Sequence, residues 1–221
     1  MIKQEKAIEI IEQSVFSLGT ELIPFQDCLG RVLAEDVYSD MDMPPFNKSA
    51  VDGYACRSND LGEDLELLEI LPAGVAPKHR VGINQCTQIM TGAAVPEGAD
   101  TVIMIEHTRT IDGKIRFLHD QTNTNICLIG EDLKAEDLVL RKATLVKAQQ
   151  IPVLASVGKT FVQVYRQPKV AVISTGDELV EPHEKPKIAQ IRNSNAAQIM
   201  AQIKQMGFSG RYIGIAKDSK E

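Results

Sequence analysis

KVAVISTGDEL, residues 169–179, joins an apolar, β-branched run to a turn of small residues that carries two adjacent carboxylates, Asp177 and Glu178. Val170, Val172 and Ile173 favour a strand covered on both faces. Ser174, Thr175 and Gly176 allow a tight turn at its carboxyl end, the edge where open α/β sheets bind ligands. Downstream, residues 181–187 contain Pro182 and Pro186 and read as a surface loop. Asn193 or Ser194 can cap a following helix with Ala196, Ile199, Met200, Ile203 and Met206 on its inward face and Gly207 closing it. Residues 212–216 then supply a second strand, which makes a βαβ unit. A right-handed crossover points both strand ends to the same edge, so Glu178 and Asp218 are expected on one rim. Such a rim suits Mg²⁺, which takes one or two carboxylates with waters and phosphates. Equally, Asp218 reads as a polar residue that merely ends a strand. With the sequence ending at Glu221, the α/β domain is expected to be begun and not finished, with a sheet edge and an apolar surface left open.

Upstream, Gln167-Pro168 marks a boundary. Residues 151–164, IPVLASVGKTFVQV, predict a short helix with Pro152 near its start and Gly158 at its end, then a strand. From residue 23 to 147 short apolar runs, at 32–37, 85–90, 101–105, 115–118 and 138–140, are broken by Pro, Gly, Asn and Asp, a mostly β pattern. Asp112-Gly113 fits a two-residue hairpin turn, because both positions tolerate positive φ. Ile8, Ile11, Val15 and Leu18 form one stripe of an amphipathic helix expected to stop at Gly19 and to need a partner surface.

The 221 residues are 43% hydrophobic and 24% charged, ordinary for a globular chain able to bury a core. Aromatics make up 5% with no Trp and the net charge is −6, which together argue against a nucleic-acid binder. No stretch is long and apolar enough for a membrane helix, and the N-terminus lacks a signal-peptide pattern, so a cytoplasmic protein is expected. Cys28, Cys56, Cys86 and Cys127, and His79, His107, His119 and His183, are dispersed without ligand-like spacing, and the thiols read as reduced.

Three further polar segments stand out. MDMPPFNKSAVDGYAC, residues 41–56, is either a solvated turn or an anion and metal site with Lys48 as a point charge, Ser49 as a hydroxyl donor and Asp52 as a carboxylate. Thr91-Gly92 in QIMTGAAVPEGAD and Gly130-Glu131-Asp132 in NICLIGEDL repeat the design of apolar run, small residue and polar group, although bland turns explain each singly. No GxGxxG or P-loop occurs.

In their order, LGRVLAEDV, MPPFNKSAVDGYA, IMTGAAVPEGADTVIMIE, GEDL, LASVG, PKVAVISTGDELVEP and QIRNSN resemble the molybdopterin molybdenumtransferases, the MoeA-like family related to the C-terminal domain of gephyrin. The resemblance runs from the first helix to the last residue. It implies a multidomain α+β chain: a helix-plus-linker, dimerising domain of residues 1–20 and 137–167, an inserted mainly β domain of residues 21–136, and the start of a three-layer α/β molybdopterin-binding domain at residues 168–221. The implied activity is Mg²⁺-dependent insertion of molybdate into adenylylated molybdopterin with release of AMP, following an upstream molybdopterin adenylyltransferase. Carried over by motif, the catalytic residues are Asp52, Thr91, Asp132, Glu178 and Asp218. Glu178 and Asp218 would hold the metal, and Lys48, Ser49, Thr175, Gly176 and Asp177 would bind substrate. A homodimer with a composite site is implied as well.

Two departures from the family pattern bear on this. Cys127 stands where the family usually has Arg, removing a bidentate anion ligand. The family's Gly-rich substrate loop and its small C-terminal β domain lie beyond Glu221. The alternative reading is therefore a non-catalytic fragment or shortened relative that binds molybdopterin or dimerises without turnover.

Overall fold

A computed structural model describes residues 2–218 of the chain. The fold is mixed α/β, with three α-helices among the described residues, Gln4–Gln13, Gln150–Ser156 and Asn195–Gln205, in a framework of short strands. Two compact units share the chain: one runs up to Val37 and resumes at Leu140, and the other is Tyr38–Val139. The sequence reading cut the chain at 20/21 and 136/137 instead. Residues 21–37 join the first unit because Thr20–Pro24 pairs antiparallel with Phe161–Tyr165, while Val32 bridges Leu145 and Leu33 bridges Val164. Only the end of the expected run 32–37 therefore enters a regular strand, Val37–Tyr38.

Within the first unit, Leu33, Val146, Leu154, Val157, Val162 and Val164 are buried. The helix Gln150–Ser156 carries Pro152 in its first turn, where the missing N–H is no loss. It closes at Gly158, φ 69°, with Lys159 N–H donating to Leu154 O at 2.9 Å and Gly158 N–H to Ala155 O at 3.2 Å. That pairing is a Schellman motif, as the glycine's position suggests. The first helix departs from expectation by ending at Gln13, short of Gly19. Ser14 Oγ donates to Ile10 O at 2.6 Å, a competing bond that draws the chain out of the helix. Ile8, Ile11, Val15 and Leu18 all remain exposed.

The terminal part of this unit is the expected βαβ. Val170–Thr175 and Gly210–Ala216 pair in parallel, from Val170↔Gly210 to Thr175↔Ala216, with a register shift between Val172 and Ile173. The helix Asn195–Gln205 lies on one face and buries Ala196 and Ile203 against Val172, with Val170, Met200, Phe208 and Tyr212 packed around them. Ile199 and Met206, expected inside, are exposed. On the strands, Ile173 and Ile213 are also exposed, so the sheet presents uncovered apolar groups as expected.

The second unit is built on a six-stranded sheet in the order Thr101–Met104, Gly53–Cys56, Gln85–Ile89, Asp64–Leu71, Lys114–Phe117, Thr108–Ile111. Asp64–Leu71 runs parallel to Gln85–Ile89, and every other neighbouring pair is antiparallel. Period-2 alternation sends Tyr54 and Cys56 to one buried face, with Leu65, Cys86, Ile103, Ile115 and Phe117, and Ala55 to the other, with Leu71, Ile89 and Val102. The Asp112-Gly113 turn forms as read: Ile111 pairs with Lys114, and φ is 48° and 79° at the two turn residues. DLELLEIL, Asp64–Leu71, is the longest strand among the described residues and is not foreseen as a separate strand by the sequence pattern. A register shift between Leu67 and Ile70 breaks its alternation, and the interspersed acids imitate a helix pattern. No helix among the described residues is long and apolar enough to cross a membrane.

Gly53 pairs with both Ile89 and Met104, and a Cβ there would collide with the Ile103 carbonyl oxygen. Gly53→Ala is expected to destabilise the second unit by about 1–3 kcal/mol through overpacking. Gly62→Ala, in open space, should leave stability nearly unchanged. Denaturant unfolding of the two variants checks this, and equal midpoints would refute it.

Candidate functional site

The sequence-predicted residues fall into two clusters, one in each unit. In the second unit the segment Lys48–Ser49 pairs antiparallel with Ile126–Cys127, and Lys48 also bridges Ala94. Gly92 N–H donates to Ser49 O at 2.8 Å, and Ile129 N–H to the Asn47 side chain at 2.8 Å. These bonds gather three loops that lie far apart in sequence. At their junction Asp52 Oδ1 accepts from Thr91 N–H at 2.6 Å and from Thr91 Oγ1 at 2.7 Å. The backbone bond first, and then the hydroxyl, hold the Asp52 carboxyl below the usual carboxylate range. Asp52, Thr91 and Asp132 are exposed, and Asp132 N–H is anchored on Met43 O at 3.0 Å.

Cys127 sits beside Lys48, Glu131 and Asp132. Partial burial, followed by hydrogen bonding to Glu131 and its charge, pushes the thiol up, with Lys48 opposing and Asp132 adding to the rise. Glu131 also accepts from Leu128 N–H at 2.8 Å, so it folds the loop on which Asp132 stands. Glu131 went without a role in the sequence reading, although its place inside the GEDL motif was a usable signal. Ser49 needs a correction. Expected to donate to substrate, it is 1% exposed, and its hydroxyl donates to Val51 O at 2.5 Å, which commits it to the turn.

In the first unit the parallel pair brings its strand ends to one rim, as the crossover argument requires. Asp218 N–H donates to Asp177 Oδ1 at 3.4 Å. A cavity of about 650 Å³ is lined by Gly176, Asp177, Leu179, Gln190, Ile215, Lys217 and Asp218. Thr175 lines a neighbouring cavity of about 300 Å³ with Ser174, Asn193 and the first residues of the helix Asn195–Gln205. Glu178, paired with Asp218 in the sequence reading, is absent from the larger cavity's lining. Its carboxylate folds over Gly176, so that a Cβ on that glycine, φ 140°, would meet Glu178 Oε2 at 2.5 Å. Asp177 is the carboxylate that shares the cavity with Asp218. The tight turn at Gly176 decides which of the two neighbours points there, and composition carries no signal for that. Among the described residues no group of three or more His, Cys, Asp or Glu converges on one point. Two carboxylates with room for water and phosphate still fit Mg²⁺, which needs no all-protein cage.

Thr91→Val removes one of the two bonds to Asp52 and keeps the amide. By carboxyl NMR, Asp52 is expected to titrate below the ordinary value of about 3.9 and to move part of the way back up in Thr91→Val. Because the folded pKa is lowered, the stability contributed by this contact is present above the unfolded value and is lost as pH falls through the folded one. An unchanged titration in Thr91→Val would refute the coupling. The thiols make a second check. Burial pushes Cys56 and Cys86 up to about 12, so a thiolate-directed reagent should modify Cys127 first in the native protein. Faster labelling at Cys56 or Cys86 would contradict the packing.

Residues 2–158 match the family model described as MoeA N-terminal region (domain I and II). The chain is 38% identical over 231 residues to a molybdopterin molybdenumtransferase of Staphylococcus epidermidis, covering all of this chain and 54% of the relative. It is 36% identical over 214 residues to one of Bacillus subtilis, covering 90% of this chain and 49% of the relative. The chain therefore spans about half the length of the curated relatives it matches. Two crystal structures of a molybdopterin biosynthesis MoeA protein of Pyrococcus horikoshii superpose over the whole chain. Their TM-scores are 0.85 and 0.90, at 35% and 32% identity, and the match covers 59% and 61% of those chains. On this match, and on a fold that carries the motif residues in two ordered clusters, the chain belongs to the MoeA N-terminal region family.

Proposed function

We propose that this chain serves molybdenum cofactor biosynthesis as a molybdopterin molybdenumtransferase, inserting molybdate into adenylylated molybdopterin with release of AMP. The observation that carries the reading is the Asp177–Asp218 rim at paired parallel strand ends, in a chain 38% identical along its length to a protein of that name. Cleaving a phosphoric anhydride builds negative charge on phosphate oxygens, and groups aimed at that charge lower the barrier. Asp218 with Asp177, and Glu178 from the same turn, would hold Mg²⁺, which when bound supplies charge stabilisation to the phosphates. Thr175 and the Gly176 turn hold substrate beside them. In the other cluster Lys48 offers a cation to an anionic group, while Asp52, Thr91 and Asp132 orient substrate and molybdate. Thr91 donates to the Asp52 carboxylate twice and fixes its orientation.

The active assembly in this reading is a cytoplasmic homodimer with a composite site, supplied by an upstream adenylyltransferase. Its test is to mix the chain with adenylylated molybdopterin, Mg²⁺ and molybdate and to measure both binding and AMP release. Asp52→Asn and Asp218→Asn should each lower AMP release by about 100-fold or more without unfolding the protein. Binding without release would favour a non-catalytic binder, and absence of both would overturn the proposal.

A further inference from the structure

Asn193 is one of the few polar side chains of the first unit to be buried, at 4% exposure, and its amide is committed at both ends. Oδ1 accepts from Ser174 Oγ at 3.1 Å and from Ala196 N–H, in the first turn of the helix Asn195–Gln205, at 3.3 Å. Nδ2 donates to Tyr212 Oη at 2.9 Å, and Tyr212 Oη donates onward to Glu181 Oε1 at 2.8 Å. One amide thus joins the strand that leads into Thr175–Asp177, the helix start, the second strand of the parallel pair and the segment that follows the acidic turn.

That segment, residues 176–192, is a flap with a small ladder at its base. Leu179–Val180 pairs in parallel with Ile191–Arg192. Ile191 N–H donates to Glu178 O at 2.8 Å and Asn193 N–H to Val180 O at 2.9 Å. Two residues a side make a weak ladder, and isolated short pairs do not hold without further anchors. Beside the contacts of Gly176 and Asp177 with the second strand's end, the anchor is the hydrogen-bonded chain from Ser174 through Asn193 and Tyr212 to Glu181. Regular register from Val170↔Gly210 sets Tyr212 opposite Val172 and against the helix-side cluster, where its hydroxyl bonds both Asn193 and the flap residue Glu181.

We propose that Asn193 and Tyr212 are positioning residues that latch the flap 176–192 onto the strand ends, and so set where Asp177 stands relative to Asp218. What the latch serves rests on the reading of the rim given above, whereas the latch itself does not. Neither residue touches substrate in this account. A buried amide with its hydrogen bonds made, as at Asn193, favours one arrangement, because a half-made alternative leaves a polar group unpaired.

The test uses the whole chain and three variants. Tyr212→Phe keeps the ring packed and removes the hydroxyl. Amide hydrogen exchange at Ile191 and Asn193 should quicken about ten-fold or more, while Val162 and Val164 in the other ladder stay unchanged. A spectroscopic signature separates this from simple packing. Partial burial and then the Glu181 bond raise the Tyr212 ionisation, and the Asn193 bond lowers it. In absorbance titrations, with Tyr212→Phe subtracted, Glu181→Gln should therefore shift Tyr212 down and Asn193→Ala should shift it up. Equal exchange in Tyr212→Phe, or shifts of the same sign in the other two, would overturn the latch. If Asn193→Ala does not fold, the remaining two variants decide. Mn²⁺ binding, as a paramagnetic probe for Mg²⁺, gives the positioning arm. Asp218→Asn should abolish it without changing flap exchange, and Tyr212→Phe should weaken it several-fold. Undiminished Mn²⁺ binding in Tyr212→Phe would refute positioning. If the unsubstituted chain takes up no Mn²⁺, the metal reading of the rim falls, and exchange and titration alone judge the latch.

Discussion

The antiparallel ladder between Thr20–Pro24 and Phe161–Tyr165 is the constraint on which the first unit depends. It joins residues at opposite ends of a long excursion of the chain. The entropy lost in closing a loop grows only with the logarithm of its length, so an entire second unit can be inserted at little more cost than a short connection. What repays that closure is burial along the ladder and beside it. Val162 and Val164 are fully buried at alternate positions, Leu33 bridges Val164, and Arg31 ties the ladder's end by donating to Tyr165 O at 2.9 Å and pairing with Glu21. Arg31 Nε is left buried without a hydrogen-bond partner, a cost the surrounding packing must offset.

Both candidate clusters use one physical device: a backbone N–H donated to a carboxylate. Thr91 donates to Asp52, Leu128 to Glu131, and Asp218 to Asp177. A main-chain donor fixes an acid with little flexibility. The bonds to Asp52 and Asp177 tie a site residue to a segment about forty positions away in sequence, whereas the one to Glu131 closes a local turn. Stability and site geometry are coupled by the same contacts, and Asp52 and Asp177 owe their placement to donors on separate segments.

Much of the architecture was legible from residues alone. Asp112-Gly113 predicted its hairpin because only certain residues tolerate two successive positive φ angles, and the strand–helix–strand at the end followed from period and caps. Gly158 and Gly207 both close helices as read. Asp64–Leu71 was missed because a break in register disguised its alternation. The first helix was drawn too long because an apolar stripe continues past Ser14, whose hydroxyl turns back on the helix. At the site, the parallel strand ends meet at one rim as the crossover argument requires, while the contact of Asp52 with Thr91 was not legible in the sequence. Ser49 as a ligand is corrected because its hydroxyl is consumed by its own turn, and the Gly176 conformation makes Asp177 rather than Glu178 line the cavity with Asp218.

By itself the sequence determined the local vocabulary of this protein: which segments extend, where they turn, which residues carry charge and which family's motifs they spell. These are properties of short windows, governed by sterics and side-chain chemistry within a few residues. Only the tertiary structure decided that Asp177 shares a cavity with Asp218, that Thr91 grips Asp52, and that Asn193 and Tyr212 reach the flap. Each of those depends on the register of strands brought together from afar, and a shift of one residue in register sends every side chain to the opposite face.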